Sequence, residues 1–297
     1  MAEKLKTVKS HYGAFVSLKQ PIFEIITIGN ELLTGKTLNT NAHWLAKRIT
    51  NLGGRVSRIV VVRDDVKEIR AAVNGALARE PSFIITSGGL GPTFDDKTLE
   101  GISEAINKPL QLNKQAYNMI KEKYLSYHEA GLLKKFELTP PRMKMAKLPV
   151  GSRPLRNPVG TAPGVLLKYK GTTLIALPGV PTEMKGMFEG VVVKLIRSCI
   201  KNVFTYKKSL RVTGVVESEI APLIDATMRE NPHVYIKSHP KAAEPNPLIE
   251  LFFTTTSGSE ELSKEMVEKA MKQISKRIIE HGGSVELMVT QNSDMAP

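Results

Sequence analysis

Residues 83–96, FIITSGGLGPTFDD, decide the fold. The segment opens with apolar and β-branched residues typical of a buried strand, and three glycines follow within four positions. A strand that ends in a glycine-rich loop before a helix is typical of α/β proteins. Gly88, Gly89 and Gly91 allow backbone N–H groups to approach a ligand closely. A phosphate fits such a loop, and the N-terminus of the following helix adds to the attraction.

Strands and helices also alternate in the residues before this segment. Apolar runs predict strands at 23–28 and 58–62, and apolar residues at helical spacing predict helices at 40–52 and after Asp65. This alternation predicts a doubly wound, mostly parallel α/β sheet. Ligands bind beyond the carboxyl ends of the strands in such sheets. The loops that are therefore expected to converge are residues 29–35, 63–65 and 87–96.

The rest of the chain predicts a second, smaller domain. Residues 113–136 have a helical pattern, and Pro140-Pro141 interrupts it before an extended edge at 143–148. Two strands joined at Gly171 follow, and a helix begins at Pro181. The order then becomes β-α-β-β-α, which is typical of a two-layer α+β domain. The predicted parts are a flexible basic leader (1–20), an α/β domain (21–202), an α+β domain (203–289) and a tail (290–297).

Composition limits the function classes. Lys and Arg outnumber Asp and Glu by 42 to 29, and the excess lies mostly in residues 114–156 and 194–211. A basic surface suits phosphate ligands, but aromatic residues make up only 6% and few lie among the basic ones, so nucleic acid is not expected. The single cysteine, Cys199, excludes an internal disulfide and is expected to be buried. Because neither a membrane span nor a secretory signal is visible, we expect a cytoplasmic protein without a membrane partner.

Pairs of carboxylates follow two of the predicted strands, Asp64-Asp65 and Asp95-Asp96. Carboxylates beside a phosphate cradle usually hold Mg²⁺ or a similar hard ion, which neutralises phosphate charge. We therefore expect Asp64, Asp95 and Asp96 to bind a divalent metal ion, Mg²⁺, Mn²⁺ or Co²⁺. Helix capping by Asp65 and Asp96 is the alternative interpretation.

Residues 29–37, GNELLTGKT, look like a phosphate-binding P-loop but lack its spacing. Five residues separate the two glycines, where the motif requires four. Glu31 would also place a carboxylate in the anion cradle. A metal or hydroxyl contact from Glu31, at the end of the first strand, is the functional interpretation that remains.

Six motifs together resemble one protein family. In chain order they are Gly29-Asn30-Glu31-Leu32-Leu33-x-Gly35, Asn39-x-Asn41, Asp64-Asp65, Gly88-Gly89-Leu90-Gly91-Pro92-Thr93-x-Asp95-Asp96-x-Thr98, Asn157-Pro158-x-Gly160-Thr161-Ala162-Pro163-Gly164 and Leu177-Pro178-Gly179-Val180-Pro181-x-Glu183-Met184. This set is similar to the amino-terminal domain of CinA-type competence/damage-inducible proteins, over residues 21–202. Residues 203–289, with Gly214-x-x-Glu217-Ser218, resemble the KH-like domain that follows in that family.

The resemblance implies more than a fold. It relates the first domain to the molybdopterin-binding proteins of molybdenum-cofactor biosynthesis, the MogA and MoaB type, and places Asp64 and Asp96 in the active pocket. It also implies metal-dependent hydrolysis of ADP-ribose and related diphosphates, and a homodimer. Many bacterial relatives carry a carboxy-terminal domain that deamidates nicotinamide mononucleotide. The 297 residues leave no room for it, so that activity is not expected.

The favoured hypothesis is a metal-dependent pyrophosphatase acting on ADP-ribose or a related dinucleotide. The alternative is a molybdopterin-binding carrier or adenylyl-transfer protein that does not hydrolyse free nucleotides. RNA binding through the basic second domain is a third and weaker hypothesis. The predicted catalytic and metal-binding residues are Asp64, Asp95 and Asp96. The predicted ligand-binding residues are Gly29, Glu31, Ser87, Gly88, Gly89, Leu90, Gly91, Thr93, Asn157, Gly160, Thr161, Pro178, Gly179, Glu183, Glu217, Ser218, Lys237 and His239.

Overall fold

The computed structural model describes residues 20–200, 204–242 and 247–288. These residues fall into two units, which divide between residues 201 and 202. The predicted tail and, apart from Gln20, the predicted leader lie outside the described residues. None of the helices in the described ranges is long and apolar enough to cross a membrane.

The first unit alternates strands and helices. Its strands are β1 (Ile22–Ile28), β2 (Arg55–Val62), β3 (Phe83–Ser87), β4 (Leu110–Leu112), β5 (Lys147–Pro149), β6 (Arg153–Leu155), β7 (Gly164–Tyr169) and β8 (Thr172–Leu177). Its helices are α1 (Asn30–Leu33), α2 (Thr40–Asn51), α3 (Val66–Leu77), α4 (Thr98–Ala105), α5 (Lys114–Glu129), α6 (Pro140–Lys144), α7 (Pro181–Met187) and α8 (Val193–Cys199). A π-helical turn, Phe188–Val192, joins α7 to α8.

Six of these strands form one sheet in the order β2-β1-β3-β8-β7-β6. β2, β1, β3 and β8 are parallel, and β7 is antiparallel to both of its neighbours. The predicted doubly wound, mostly parallel sheet is therefore confirmed. The four parallel strands all end at the same edge of the sheet, which is called the carboxyl edge below. β4 and β5 form a separate antiparallel pair.

Helices cover both faces of this sheet. Phe23 and Ile25 of β1 pack in one core with α2, α7 and α8, whereas Ile26 and Ile28 pack in the other with α3, α4 and α5. These four side chains are at most 3% exposed. Successive side chains of a strand point to opposite faces, so a strand buried on both faces is a continuous apolar run. This is why β1, β3 and β8 were visible in the sequence as apolar runs.

Two expectations for this unit are wrong. Pro140-Pro141 does not interrupt a helix but begins one, α6, and the strand β5 starts only at Lys147. Proline is tolerated in the first turn of a helix because the N–H groups there have no helical acceptor. Cys199 is exposed rather than buried. It is the last residue of α8, where the chain leaves the core.

The second unit is a two-layer α+β domain, as predicted. Its elements are β9 (Phe204–Thr213), α9 (Glu217–Glu230), β10 (Tyr235–Ala242), β11 (Leu248–Ser257), α10 (Glu260–Glu280) and β12 (Ser284–Leu287). The sheet has the order β10-β11-β9-β12, and all of its neighbours are antiparallel. β12 was not predicted. The complete order βαββαβ is that of a split βαβ domain, and the KH-like resemblance remains a prediction.

Both helices of the second unit pack on the same face of its sheet. Leu251 and Phe253 of β11 share one core with Ile220 of α9 and with Val267 and Ile274 of α10. All five side chains are fully buried. Among the described residues of this unit, no helix packs on the opposite face of the sheet.

At the carboxyl edge of the first sheet, Gly88 passes very close to β1. A Cβ atom at this position would collide with the carbonyl oxygen of Ile28, and the φ angle of Gly88 is +115°. The N–H of Gly88 donates to the carbonyl of Leu177 on β8, at 3.1 Å. Gly88 therefore lies between the ends of two strands and leaves no space for a side chain.

The variant Gly88→Ala tests this contact. We expect it to destabilise the first unit by about 1–3 kcal/mol more than Gly171→Ala, because only Gly88→Ala adds a steric clash. Gly171 has a φ of +85° with no atom within 4 Å of an added Cβ, so it controls for backbone strain alone. Trp44 is the only tryptophan and lies in the first unit, so its fluorescence during urea unfolding is the measurement. Equal destabilisation by the two variants would contradict the clash.

Candidate functional site

The loops that follow β1, β2, β3 and β8 meet at the carboxyl edge. The backbone N–H of Asn30 donates to Asp64 Oδ2 at 2.8 Å, which joins the first loop to the second. The hydroxyl of Ser87 donates to the carbonyl of Pro178 at 3.0 Å, which joins the third loop to the loop after β8. The structure thus brings together the three loops expected to converge and adds a fourth.

Two asparagines at the start of α2 hold this edge together. Asn41 Nδ2 donates to the carbonyl of Gly179 at 2.7 Å and to Ser87 Oγ at 3.0 Å. Asn39 Nδ2 donates to Thr27 Oγ1, while its Oδ1 caps the helix. Asn41 Oδ1 is buried and has no hydrogen-bond donor among the described residues. Neither asparagine was predicted as a site residue, although their spacing was one of the six motifs.

The glycine loop presents unused backbone donors. The N–H of Gly88 is engaged with β8, but the N–H groups of Gly89, Leu90 and Gly91 have no acceptor within the part of the chain that the structure describes. Thr98 holds the loop to the start of α4, because its hydroxyl donates to the carbonyl of Gly88 at 2.7 Å. Three consecutive free N–H groups are the arrangement expected of an anion-binding loop.

A cavity of about 270 Å³ lies against this loop. Besides the three residues with free N–H groups, its lining includes Lys144, Lys147 and Asp96. Lys144 Nζ donates to the carbonyls of Thr93 and Asp96, both at 2.6 Å. Lys144 belongs to α6, 48 residues from Asp96, and no feature of the sequence pointed to it.

The predicted acids Asp95 and Asp96 close a tight turn with Thr93. The hydroxyl of Thr93 lies 2.5 Å from Asp95 Oδ1 and from Asp96 Oδ2, and its N–H donates to Asp96 Oδ2 at 2.9 Å. The hydrogen bond from the Thr93 hydroxyl holds the pKa of Asp95 below its usual value. Asp96 does not cap α4, because the N-cap position is Lys97. The two carboxylates are therefore used to shape the glycine loop.

The surroundings of Asp64 and Asp65 shift their pKa values in opposite directions. Asp65 accepts hydrogen bonds from the N–H groups at the start of α3, which lower its pKa, and the capping interpretation is confirmed. Burial raises the pKa of Asp64, and the nearby carboxylates of Glu31, Asp95 and Asp96 raise it further, while the hydrogen bond from Asn30 opposes them. Asp64 is thus a carboxylate whose charge is disfavoured where it lies.

The expected metal site is not formed. Among the described residues, no group of three or more Asp, Glu, His or Cys side chains is arranged to hold a metal ion. Asp95 and Asp96 are directed to Thr93, and Asp64 to the backbone of Asn30. The donor set therefore does not fit a metal centre made by the protein alone. Glu31 lies over Gly29 and lines a smaller cavity of about 100 Å³ with Asn41 and Ser87.

The loop between β6 and β7 has a structural organisation of its own. Asn157 Oδ1 accepts from the N–H groups of Val159 and Gly160, and its Nδ2 donates to Glu183 Oε2 at 2.6 Å. A Cβ at Gly160 would collide with the carboxylate of Glu183. The polar atoms of Asn157 are thus engaged by its own loop and by Glu183 of α7. Asn157 and Thr161 both line a cavity of about 210 Å³.

The four remaining predicted ligand-binding residues lie in the second unit. Glu217 begins α9 and accepts a hydrogen bond from the hydroxyl of Ser238 at 2.7 Å. Ser218 is exposed on the same helix. Lys237 and His239 are exposed on β10, on either side of Ser238.

Residues 24–198 match the family described as a probable molybdopterin binding domain. The chain belongs to this family. The match covers the sheet apart from the first two residues of β1, and it covers all four loops of the carboxyl edge.

Relatives cover nearly the whole chain. A protein of Sulfurisphaera tokodaii is 43% identical over 265 residues, which cover 88% of this chain and 97% of the relative. Protein SSO0103 of Saccharolobus solfataricus is 41% identical over 247 residues, which cover 83% of this chain and 88% of that protein. The crystal structure of the protein CinA, of unknown function, from Thermoplasma acidophilum is 43% identical with a TM-score of 0.53, covering 59% of this chain and 98% of that one. The expected likeness to CinA-type proteins is confirmed over that share of the chain.

The raised pKa of Asp64 gives a test that needs no ligand. The folded state holds this proton more tightly than the unfolded chain, so the free energy of unfolding falls as pH rises through the pKa of Asp64. Asp64→Asn keeps an acceptor for Asn30 but removes the charge. We expect this variant to be more stable than the wild type at neutral pH, with the difference vanishing below the ordinary pKa of 3.8.

Urea unfolding followed by Trp44 fluorescence across this pH range is the measurement. Asp65→Asn is the matched control, and we expect it to be less stable than the wild type at neutral pH. The lowered pKa of Asp65 means that its charge stabilises the folded state above its ordinary pKa. A less stable Asp64→Asn at neutral pH would mean that the Asp64 carboxylate is stabilised in the folded protein.

Proposed function

We propose that the first unit binds molybdopterin or a closely related phosphate-bearing pterin at the carboxyl edge of its sheet. The observation that carries this proposal is the row of free N–H groups at Gly89, Leu90 and Gly91 beside a cavity that Lys144 and Lys147 also line. Backbone donors and lysines together suit an anionic phosphate. The family match supplies the pterin part of the ligand.

The residues present fit the chemical groups of this ligand. Molybdopterin carries a terminal phosphate at one end and a pterin ring with N–H donors at the other. The glycine loop and Lys144 would hold the phosphate. On the other side of Ser87, the buried Asn41 Oδ1 lacks a donor, and a ring N–H would satisfy it. An unsatisfied buried acceptor is unfavourable, so a ligand that supplies its donor gains affinity there.

Asp64 would contribute selectivity at the same edge. Burial and neighbouring acids raise the pKa of Asp64 and disfavour its charge. A ligand that donates an N–H to this carboxylate would stabilise that charge, so Asp64 would favour a ring donor over a ring acceptor. In this proposal the chain binds and orients its ligand, and Asn41, Ser87 and Gly179 keep the two sides of the pocket in register.

Lys144→Met tests the phosphate cradle. We expect pterin to co-purify with the wild-type protein from a host that makes molybdenum cofactor, and to be identified by mass spectrometry. The affinity of Lys144→Met for this pterin, measured by equilibrium dialysis, is expected to fall by about tenfold to a hundredfold, the usual loss of a charge-assisted hydrogen bond.

Lys170→Met is the matched control, since Lys170 lies in the β7–β8 turn at the opposite edge of the sheet. Its affinity is expected to equal that of the wild type. Absence of any co-purified pterin, or equal affinities of Lys144→Met and Lys170→Met, would contradict the proposed site. Unfolding of Lys144→Met is followed by Trp44 fluorescence. An unfolding midpoint equal to that of the wild type would mean that the variant lost affinity without losing stability.

Hydrolysis of ADP-ribose or a related diphosphate is a second candidate. The observation that favours it is the proximity of Glu31, Asp95 and Asp96 to Asp64, which raises the pKa of Asp64. Mg²⁺ is commonly held by one or two carboxylates together with substrate phosphates. The missing three-ligand cluster therefore does not bear on a metal that arrives with its substrate.

Release of AMP from ADP-ribose separates the two candidates. For a hydrolase, release is expected with Mg²⁺, Mn²⁺ or Co²⁺, to stop with EDTA, and to fall by orders of magnitude in Asp96→Asn. Asp225→Asn, an exposed acid of the second unit, is the control. No release with any of these metals would leave pterin binding as the only candidate.

A further inference from the structure

A cavity of about 480 Å³, called the edge cavity below, lies beside β6, the last strand of the first sheet. Its walls are α5, which packs on one face of the sheet, β6 itself, and the π-helical turn, which packs on the other face. It shares no lining residue with the cavities of about 270 and 100 Å³ at the carboxyl edge. The first unit comprises residues 20–201, and all of them except Lys201 are described.

The floor of the edge cavity is apolar. Pro154 and Leu155 of β6 are buried, and Met119 of α5 and Val191 of the π-helical turn are partly buried. A π-helical turn is rare and is frequently found at functional sites. Small-molecule sites have volumes of about 300–1,000 Å³ and apolar walls with a few placed polar groups. The floor is therefore suited to the apolar body of a small ligand.

Three polar side chains that line the edge cavity have no partner among the described residues, namely Gln115 and Asn118 of α5 and Arg153 of β6. Gln115 and Asn118 are three residues apart, so they are neighbours on one face of the helix. Arg156 also lines the cavity, but it is paired with Glu122 at 2.8 Å. The positive charge of Arg153 remains, and a ligand with one negative charge would balance it.

The chemistry of these groups selects a carboxylic acid that also carries an amide. The planar fork of guanidinium N–H donors matches a carboxylate with two parallel hydrogen bonds. A side-chain amide both donates and accepts, so it can pair with an amide of the ligand. A phosphate monoester carries more than one negative charge at neutral pH, which exceeds the charge of Arg153. A strand of another chain is disfavoured, because β6 has three residues and the central one, Pro154, has no N–H.

We propose that the edge cavity binds a small carboxylic acid with an amide and an apolar side group, the chemistry of an N-acylated apolar amino acid. The carboxylate binds Arg153, the amide pairs with Gln115 and Asn118, and the apolar group lies on the floor. The proposal is independent of pterin binding, because the edge cavity and the anion-binding loop have no lining residue in common.

Saturation-transfer NMR with the full chain tests the proposal. The probes are the N-acetyl derivatives of leucine, methionine, phenylalanine and tryptophan. At least one is expected to bind with a Kd on the order of 0.1–1 mM, the range for a ligand of this size. N-acetylphenylalanine amide lacks the carboxylate and should bind about tenfold more weakly than the free acid. Phenyl phosphate should displace the bound probe less effectively than phenylpropanoate, a carboxylate of similar size.

Variants of the edge cavity supply the decisive comparison. Arg153→Met is expected to weaken binding of the N-acetyl probe by about tenfold or more, the usual loss of a charge-assisted hydrogen bond. Arg153→Lys keeps the charge without the fork, so its loss should be smaller. Asn118→Leu should weaken the N-acetyl probe by about threefold to tenfold. The same variant should leave binding of phenylpropanoate unchanged, because that ligand has no amide.

Arg58→Met is the matched control, since Arg58 is exposed on β2, the strand at the other edge of the same sheet. It should bind the probe like the wild type. Unfolding midpoints from Trp44 fluorescence show whether Arg153→Met is as stable as Arg58→Met. No saturation transfer to any of the four N-acetyl probes at about 5 mM would overturn the proposal. So would equal affinities of the wild type and Arg153→Met, or displacement of the probe by phenyl phosphate more effectively than by phenylpropanoate.

Discussion

The approach of Gly88 to the carbonyl oxygen of Ile28 is the contact on which the carboxyl edge depends. Because no side chain separates the end of β3 from the end of β1, the glycine loop turns immediately and runs along the edge of the sheet. The N–H of Gly88 is used by β8, and the next three N–H groups have no acceptor among the residues that the structure describes. A single close backbone contact therefore creates the row of free donors that makes the loop an anion-binding candidate.

Two carboxylates at the same edge support the glycine loop itself. Asp95 and Asp96 accept hydrogen bonds from the hydroxyl of Thr93, and Asp96 also accepts one from its N–H. Lys144 donates to the carbonyls of Thr93 and Asp96. The charges of Asp95 and Asp96 are thus engaged by donors within the turn. Asp64 differs because burial and neighbouring acids disfavour its ionised form. The acidic residues near the glycine loop consequently have three distinct surroundings: Asp65 caps a helix, Asp95 and Asp96 close a turn, and Asp64 is a half-buried carboxyl group close to other acids.

The second unit has exposed aromatic and charged side chains on one face of its sheet. In an antiparallel sheet with helices on one side, every second residue of each strand points to the other side. The rings of Tyr235, His239 and Phe252 and the charge of Lys237 meet there only because β10 and β11 pair in one register. A shift by one residue would move all of them into the core.

The sequence by itself determined the alternation of strands and helices from β1 to β3, the order of the first five elements of the second unit, the mostly parallel sheet and three of the loops that meet at its carboxyl edge. These follow from apolar runs, helical spacing and glycine positions, which are local properties. It misassigned Pro140-Pro141, since proline ends a helix or begins one depending on neighbours that the pattern does not show. Tertiary structure alone decided that Lys144 reaches Asp96, that Asp95 and Asp96 turn to Thr93, and that the aromatic rings of β10 and β11 form one surface. The physical reason is that these contacts join residues far apart in the chain, and only the packing of helices and the register of strands sets their distances.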